Sequence, residues 1–260
     1  MSLFLVWCII FFVLGACIGS FLNVCIYRLP QGRSIVRPGS ACPECGHSLA
    51  WWENIPIVSY LLLRARCRSC RAPISFQYPL VELLMGVAAT ALFMRYGLGP
   101  EMPIYLCFIG CLLVVTFVDL EHQIIPDIVS LPGIVLGFIF SFWLPELSWM
   151  DSIVGVLTGG GILYMVAWLY YVIAHREGMG GGDIKLLAMI GAFLGWKSIP
   201  LVIFLSAAVG AATGLTLMVV SRGGRHSAIP YGPFLAGAAV IALFWGSELI
   251  RWYSGFLAGV

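Results

Sequence analysis

Charge is scarce in this chain of 260 residues: 14 Lys and Arg with 12 Asp and Glu make only 10% of the sequence. A water-soluble domain carries about 25% charged residues, so this chain lacks the polar groups to cover a solvated surface. Basic residues are absent ahead of the first apolar stretch, where Met1 and Ser2 stand alone. A secretory signal needs a positive leader and a small-residue cleavage site, so residues 3–27 are expected to stay as a membrane span. Alternation of polar and apolar residues is missing too, which excludes a transmembrane barrel. No G-x-G-x-x-G follows a strand, and no other familiar nucleotide-binding pattern is present. Disorder, a collagen-like fibre and a disulfide-stapled secreted scaffold are excluded on composition.

Apolar residues are abundant: 61% of the chain is hydrophobic, and the mean hydropathy is +0.99. The 30 glycines are too many for a soluble helix bundle and usual in membrane helices. A spanning helix needs about 20 mostly apolar residues. Candidate stretches run over 3–27, 80–94, 102–118, 128–144, 152–173, 184–196, 199–220 and 234–250. The expected fold is therefore an all-α polytopic membrane protein of about eight transmembrane helices, several short or Gly-interrupted. One long polar interruption follows the first helix. No internal repeat or low-complexity tract stands out.

That interruption, residues 28–75, holds seven arginines against Glu44 and Glu53. The positive-inside rule places it in the cytoplasm and the N-terminus outside. Threading eight spans leaves Arg176, Lys185, Arg222 and Arg225 on the cytoplasmic side too, with Arg95, Lys197 and Arg251 opposite. Arg222, Arg225 and His226 read as a cytoplasmic loop that sets topology, with contact to anionic lipid as the alternative. Trp51, Trp52, Trp143, Trp149 and Trp196 read as interfacial anchors. The expected division is a first helix (1–27), a cytoplasmic module (28–77) and a seven-helix core (78–260).

Of nine cysteines, Cys8, Cys17, Cys25, Cys107 and Cys111 lie in apolar spans, as small hydrophobes. Cys42, Cys45, Cys67 and Cys70 instead form two C-x-x-C pairs with 21 residues between them. Each such turn offers two thiolates at the bite that tetrahedral Zn²⁺ requires, so a four-cysteine, zinc-ribbon-like insertion is expected. Two disulfides, or a thioredoxin-like redox pair, are the alternatives. A reducing cytoplasm disfavours the first, and the second lacks a surrounding βαβ pattern. His47 is a fifth candidate ligand beside a site that four cysteines already fill.

Acids inside membrane segments are costly and mark function. Asp119 ends the third apolar stretch and opens the run to Asp127; Asp183 follows Gly178-Met-Gly-Gly-Gly182 and opens the sixth. Both fall at the same cytoplasmic boundary, so two carboxylates from different helices can meet there. Such a pair suits peptide hydrolysis, one carboxylate activating water while its protonated partner polarises the scissile carbonyl. Gly180, Gly181 and Gly182 would let an extended substrate backbone approach. Two other readings stay open: Asp127 and Asp183 as helix N-caps, and a carboxylate pair serving proton-coupled transport. Glu82 is an acid near the membrane surface, a candidate substrate contact or a carboxylate snorkelling to water. His122 beside Asp119 reads as a solvated loop residue.

Gly19-Ser-Phe-Leu-Asn-Val-Cys-Ile-Tyr-Arg-Leu-Pro30 resembles the opening signature of bacterial type IV prepilin peptidases. The cysteine pairs, the segment from Pro73 to Glu82, the run from Asp119 to Asp127 and the stretch from Gly178 to Lys185 follow in that family's order. The resemblance covers nearly the whole chain. It implies a G-x-G-D type aspartic peptidase of the inner membrane, with Asp119 and Asp183 as the catalytic pair and Asp127 outside it. It implies cutting of leaders from type IV prepilins or type II secretion pseudopilins at the cytoplasmic face. It also implies N-methylation of the new amino terminus with S-adenosylmethionine, since relatives with the cysteine module are typically bifunctional, and this makes Glu82 a candidate contact for the methyl acceptor. Expected partners are the prepilin substrate, the lipid bilayer and the pilus or secretion assembly machinery; nucleic acid is not among them. Rival readings are a proton-coupled transporter with a cytoplasmic zinc domain and a zinc-ribbon adaptor.

Overall fold

The structure, a computed structural model, describes residues 2–176, 180–220 and 229–258. Among them, regular structure is helical apart from two isolated β-bridges. With hydrocarbon outside, a backbone can only satisfy its N–H and C=O groups within its own helix. The helices in chain order are α1 (Ser2–Arg28), α2 (Val58–Leu62), α3 (Gln77–Tyr96), α4 (Glu101–His122), α5 (Asp127–Phe140), α6 (Trp149–Ala174), α7 (Gly181–Leu194), α8 (Ile199–Val220) and α9 (Gly232–Ala258). Every apolar stretch expected to span contains a helix, though residues 141–144 and 195 fall outside one, and among the described residues six helices are long and apolar enough to cross a membrane. The exceptions are α5 and α7, of 14 residues each, or about 21 Å at 1.5 Å per residue against roughly 30 Å of hydrocarbon.

The chain divides into two compact units, Met1–Val114 and Val115–Val260, with the division inside α4. In the first unit, α1 packs along α3. Small residues bring the two backbones together: a Cβ on Gly19 would lie 2.7 Å from the Glu82 Cα. Asn23, buried on α1, donates to the Tyr78 carbonyl at 3.0 Å. Much of α1, including Leu3, Phe4 and Ile9, is left exposed, as a lipid-facing surface should be.

The segment between α1 and α3 is built from two knuckles with one hydrogen-bond plan. In the first, Cys42 N–H donates to the His47 carbonyl, Gly46 N–H to Cys42 and Leu49 N–H to Ser40, each at 2.9 Å. In the second, Cys67 donates to Ala72, Arg71 to Cys67 and Ile74 to Ala65, at 2.8, 3.0 and 2.8 Å. Each bond recurs at an offset of 25 residues, as do the bridges Ala41–Ser48 and Arg66–Pro73. The knuckles are thus an internal repeat, contrary to the sequence expectation. Beyond the cysteines, little in the side chains marks it. Both turns need a left-handed residue after the second cysteine: Gly46 has φ 71°, and Arg71 has φ 63°.

In the second unit, α7 packs against α5, α6, α8 and α9. Its residues from Leu186 to Phe193 are all buried, so it is apolar on every side where it is enclosed. Gly155 on α6 and Gly191 on α7 meet so closely that a Cβ on either would fall on the other's backbone. Close packing of this kind fixes where α7 begins, and Asp183 sits in its first turn.

Candidate functional site

Asp119 lies in the last turn of α4 and is 5% exposed. A carboxylate at a helix C-terminus faces the negative end of the dipole, so something must offset it. That something is the start of α9: the Gly232 N–H donates to Asp119 Oδ2 at 2.9 Å. Asp183 is half-buried in the first turn of α7, where the dipole favours a carboxylate. Asp119 is near enough for its charge to bear on Asp183, and Asp183 bears in turn on Tyr231. The second unit therefore gathers Asp119, Asp183, Tyr231 and Gly232 into one neighbourhood.

Neither Asp127 nor Asp183 caps its helix. The N-cap of α5 is Pro126 and that of α7 is Gly180, and both carboxylates lie inside the first turn. Asp127 is occupied otherwise: Lys185 Nζ donates to both of its oxygens, at 2.7 and 2.8 Å, tying α5 to α7. The glycines before Asp183 differ among themselves. A Cβ on Gly181 would meet nothing within 4 Å, and one on Gly180 would meet only Asp183 Oδ2, at 3.9 Å. A Cβ on Gly182 would lie 2.8 Å from the Ile125 Cβ, so that glycine is required by packing. Gly178, Arg222, Arg225 and His226 lie outside the described residues. His122 closes α4, exposed beside Glu121 at 3.9 Å.

The sequence reading missed the turn at residues 229–233, Ile-Pro-Tyr-Gly-Pro. Its signal was present. Two prolines around Tyr-Gly ahead of an apolar run announce a fixed turn at a helix start.

The four module cysteines converge. The Sγ atoms of Cys42, Cys45, Cys67 and Cys70 all lie within 4.8 Å of one another. Cys42 to Cys70 is 3.8 Å and Cys45 to Cys67 is 4.0 Å. A disulfide needs about 2.05 Å, whereas a tetrahedron with arms of about 2.3 Å has edges of about 3.8 Å. The cluster fits a metal ion. N–H groups of Cys70 and Ser69 aimed at Cys67 bring its thiol down to about 6, which favours the thiolate that a metal needs. His47 stands apart from the cluster, its Nε2 meeting Glu53 Oε2 at 3.3 Å. Glu53 is buried, and its Oε2 also accepts from the Ala50 N–H at 2.8 Å, which holds the carboxyl below its usual range. Trp52 lies under the Arg68 guanidinium at 4.8 Å rather than serving only as a membrane anchor.

Glu82 does not snorkel. It is buried on α3, and its Oε2 accepts from the Ile57 N–H at 2.7 Å. Ile57 has φ 63°, a conformation that a branched side chain rarely adopts, so the bond anchors a strained turn at the start of α2.

Residues 13–96 match the Bacterial Peptidase A24 N-terminal domain, and residues 106–215 match the Type IV leader peptidase family. A prepilin leader peptidase/N-methyltransferase of Aeromonas hydrophila is 39% identical over 93% of this chain and 92% of its own length. One from Pseudomonas putida is 38% identical, over 91% and 90%. One from Myxococcus xanthus is 43% identical over 83% of this chain and 65% of its own length. No solved structure gives a significant match. Both halves of the sequence thus fall to domains of one kind of protein, and relatives aligned nearly end to end carry one name. The chain belongs to the prepilin leader peptidase/N-methyltransferase family.

Proposed function

We propose that the chain is a membrane aspartic endopeptidase that cuts the leader from type IV prepilins or type II secretion pseudopilins, with Asp119 and Asp183 as its catalytic pair. The observation that carries this reading is the meeting of two carboxylates, from the end of α4 and the start of α7, inside one packed unit. Two carboxylates that feel one another's charge disfavour ionising together, so one is protonated while the other is ionised. The ionised carboxylate takes a proton from water as that water attacks the scissile carbonyl, and the protonated one donates to the carbonyl oxygen. Gly180 and Gly181 leave open space for an extended substrate backbone. Purified protein incubated with a prepilin peptide should release the leader, and Asp183→Asn should not. Wild-type protein that leaves the peptide whole would overturn the reading.

The second activity is methylation of the amino terminus that cleavage exposes, with S-adenosylmethionine as methyl donor; the relatives' shared name supports it. Cys42, Cys45, Cys67 and Cys70 hold one structural Zn²⁺ that folds the module, residues 28–77, between the first helix (1–27) and the peptidase core (78–260). Glu82, through Ile57, steadies the approach to α2 and thereby the methyl-acceptor side. The topology is that of an inner-membrane protein with a periplasmic N-terminus and a cytoplasmic module. Substrates come from pilus or secretion assembly, whose machinery is the expected further partner.

A further inference from the structure

Resting on the peptidase reading, we infer that the turn at residues 230–233 is the positioning element of the catalytic pair. Gly232 holds the Asp119 carboxylate through its main-chain N–H, and Tyr231, bonded to Ser206, holds Gly232 in place.

The donors at the start of α9 can be counted. A helix leaves its first N–H groups without intrahelical partners. Here Phe234 and Leu235 both donate to the Tyr231 carbonyl, at 3.1 and 3.2 Å. Pro233 has no N–H to give. Gly232 is left as the donor aimed outward, and its target is Asp119, 113 residues earlier in the chain. An N–H can only donate, so Oδ2 is the acceptor in this bond, which favours Oδ1 as the seat of a proton on Asp119. The turn thereby holds the Asp119 carboxylate in one orientation.

Tyr231 is tied down from α8. Ser206, wholly buried there, has its hydroxyl 3.0 Å from the Ile203 carbonyl and 2.7 Å from the Tyr231 hydroxyl. Either hydroxyl can donate in the second contact, and in both arrangements the bond holds the phenol against α8. Tyr231 acts here as a positioning residue.

Position 232 also demands glycine. A Cβ there would lie 2.7 Å from Asp119 Oδ2, while Gly232 itself has an ordinary φ. The obstructing atom is the tip of a side chain, so alanine should displace the carboxylate and leave the helices standing. That makes Gly232→Ala the decisive variant. In full-length protein acting on a prepilin peptide, its kcat should fall about 100-fold, the scale of an ångström of misplacement. KM should stay within about twofold, and the melting temperature should stay within the few degrees that about 1 kcal/mol represents. Tyr231→Phe and Ser206→Ala should each lower kcat about 2- to 10-fold, the rate equivalent of one neutral hydrogen bond. Because both break the same bond, the double variant should be no slower than the slower single one. Undiminished kcat in Gly232→Ala, or a loss that tracks raised KM and lowered melting temperature, would overturn the inference. Multiplied losses in the Tyr231/Ser206 double variant would overturn the anchoring role of Ser206. Failure of the wild type to cleave would instead sink the peptidase reading itself.

Discussion

The cysteine module and the carboxylate site solve opposite problems. The module has almost no core: Val36, Trp51, Leu61 and Leu62 stay exposed, and its turns run through left-handed residues at Ile57, Arg64, Ala65 and Arg71. Its order comes from short main-chain bonds around four thiols. Around the carboxylates the reverse holds. Packing of α7 among its neighbours is dense, and the polar groups are few and individually placed. One region is gathered around a cluster of four thiols and the other is held by burial, so different injuries should disable them.

The largest effect should fall on the buried side. Asn at Asp119 or Asp183 should lower cleavage by about 100- to 10,000-fold, the usual span for losing an acid or base. The helices should still melt as in the wild type, because Asn keeps the shape and the acceptor. A full-rate Asp183→Asn enzyme would abolish the distinction. Chelation, or Ser at Cys42 or Cys67, should strike the other side. Metal binding free energy is folding free energy for so small a module. Zinc content should fall, and methyl transfer should fall more than cleavage. Equal loss of both would mean that the two regions are not independently held.

A pH series sharpens the contrast further. Cleavage should follow a bell whose limbs belong to the carboxylate pair jointly, and adding a chelator during the assay should leave its shape unchanged. A rate that collapses on chelation while the helices persist would point to metal-activated water. Lys185→Met should do much less. The Asp127–Lys185 pair is partly exposed on both sides, and such pairs contribute only about 0.2–1 kcal/mol. Comparable in size and opposite in sign is Arg71→Gly, which removes a left-handed non-glycine. It should stabilise the zinc-loaded module by about 1 kcal/mol, seen as slower metal release.

What the sequence made legible was whatever its own spacing encodes. Asp119, Asp183 and the four cysteines sit in short motifs with local meaning, and the helices follow apolar run length. What escaped it depends on distant partners. The bond from Gly232 to Asp119 joins residues 113 apart, and nothing near either one announces the other. Glu82 looked like a surface acid because its partner is the Ile57 main chain, whose N–H has no side-chain signature. Capping stayed open as a reading of Asp127 and Asp183 because Asp often is a cap. Here Pro126 and Gly180 take the capping positions and release both carboxylates for other work.

The brevity of α5 and α7 bears on how water arrives. A hydrophobic segment some 9 Å short of the hydrocarbon thickness is met by local thinning of the bilayer, by kinking or by water defects. Asp183 stands at the first turn of one short helix, and Asp127 opens the other. Because α7 is enclosed by its neighbours, lipid meets the mismatch at α5, whose Ile128, Leu131, Val135 and Ile139 are exposed, and thinning there would dimple the headgroup layer toward Asp127. Hydrolysis consumes a water for every bond cut, and a dimple beside α5 would shorten the path that this water travels. The rate should then respond to the lipid itself. Reconstitution in longer acyl chains should deepen the mismatch, stiffen the dimple and slow cleavage without any change in the protein.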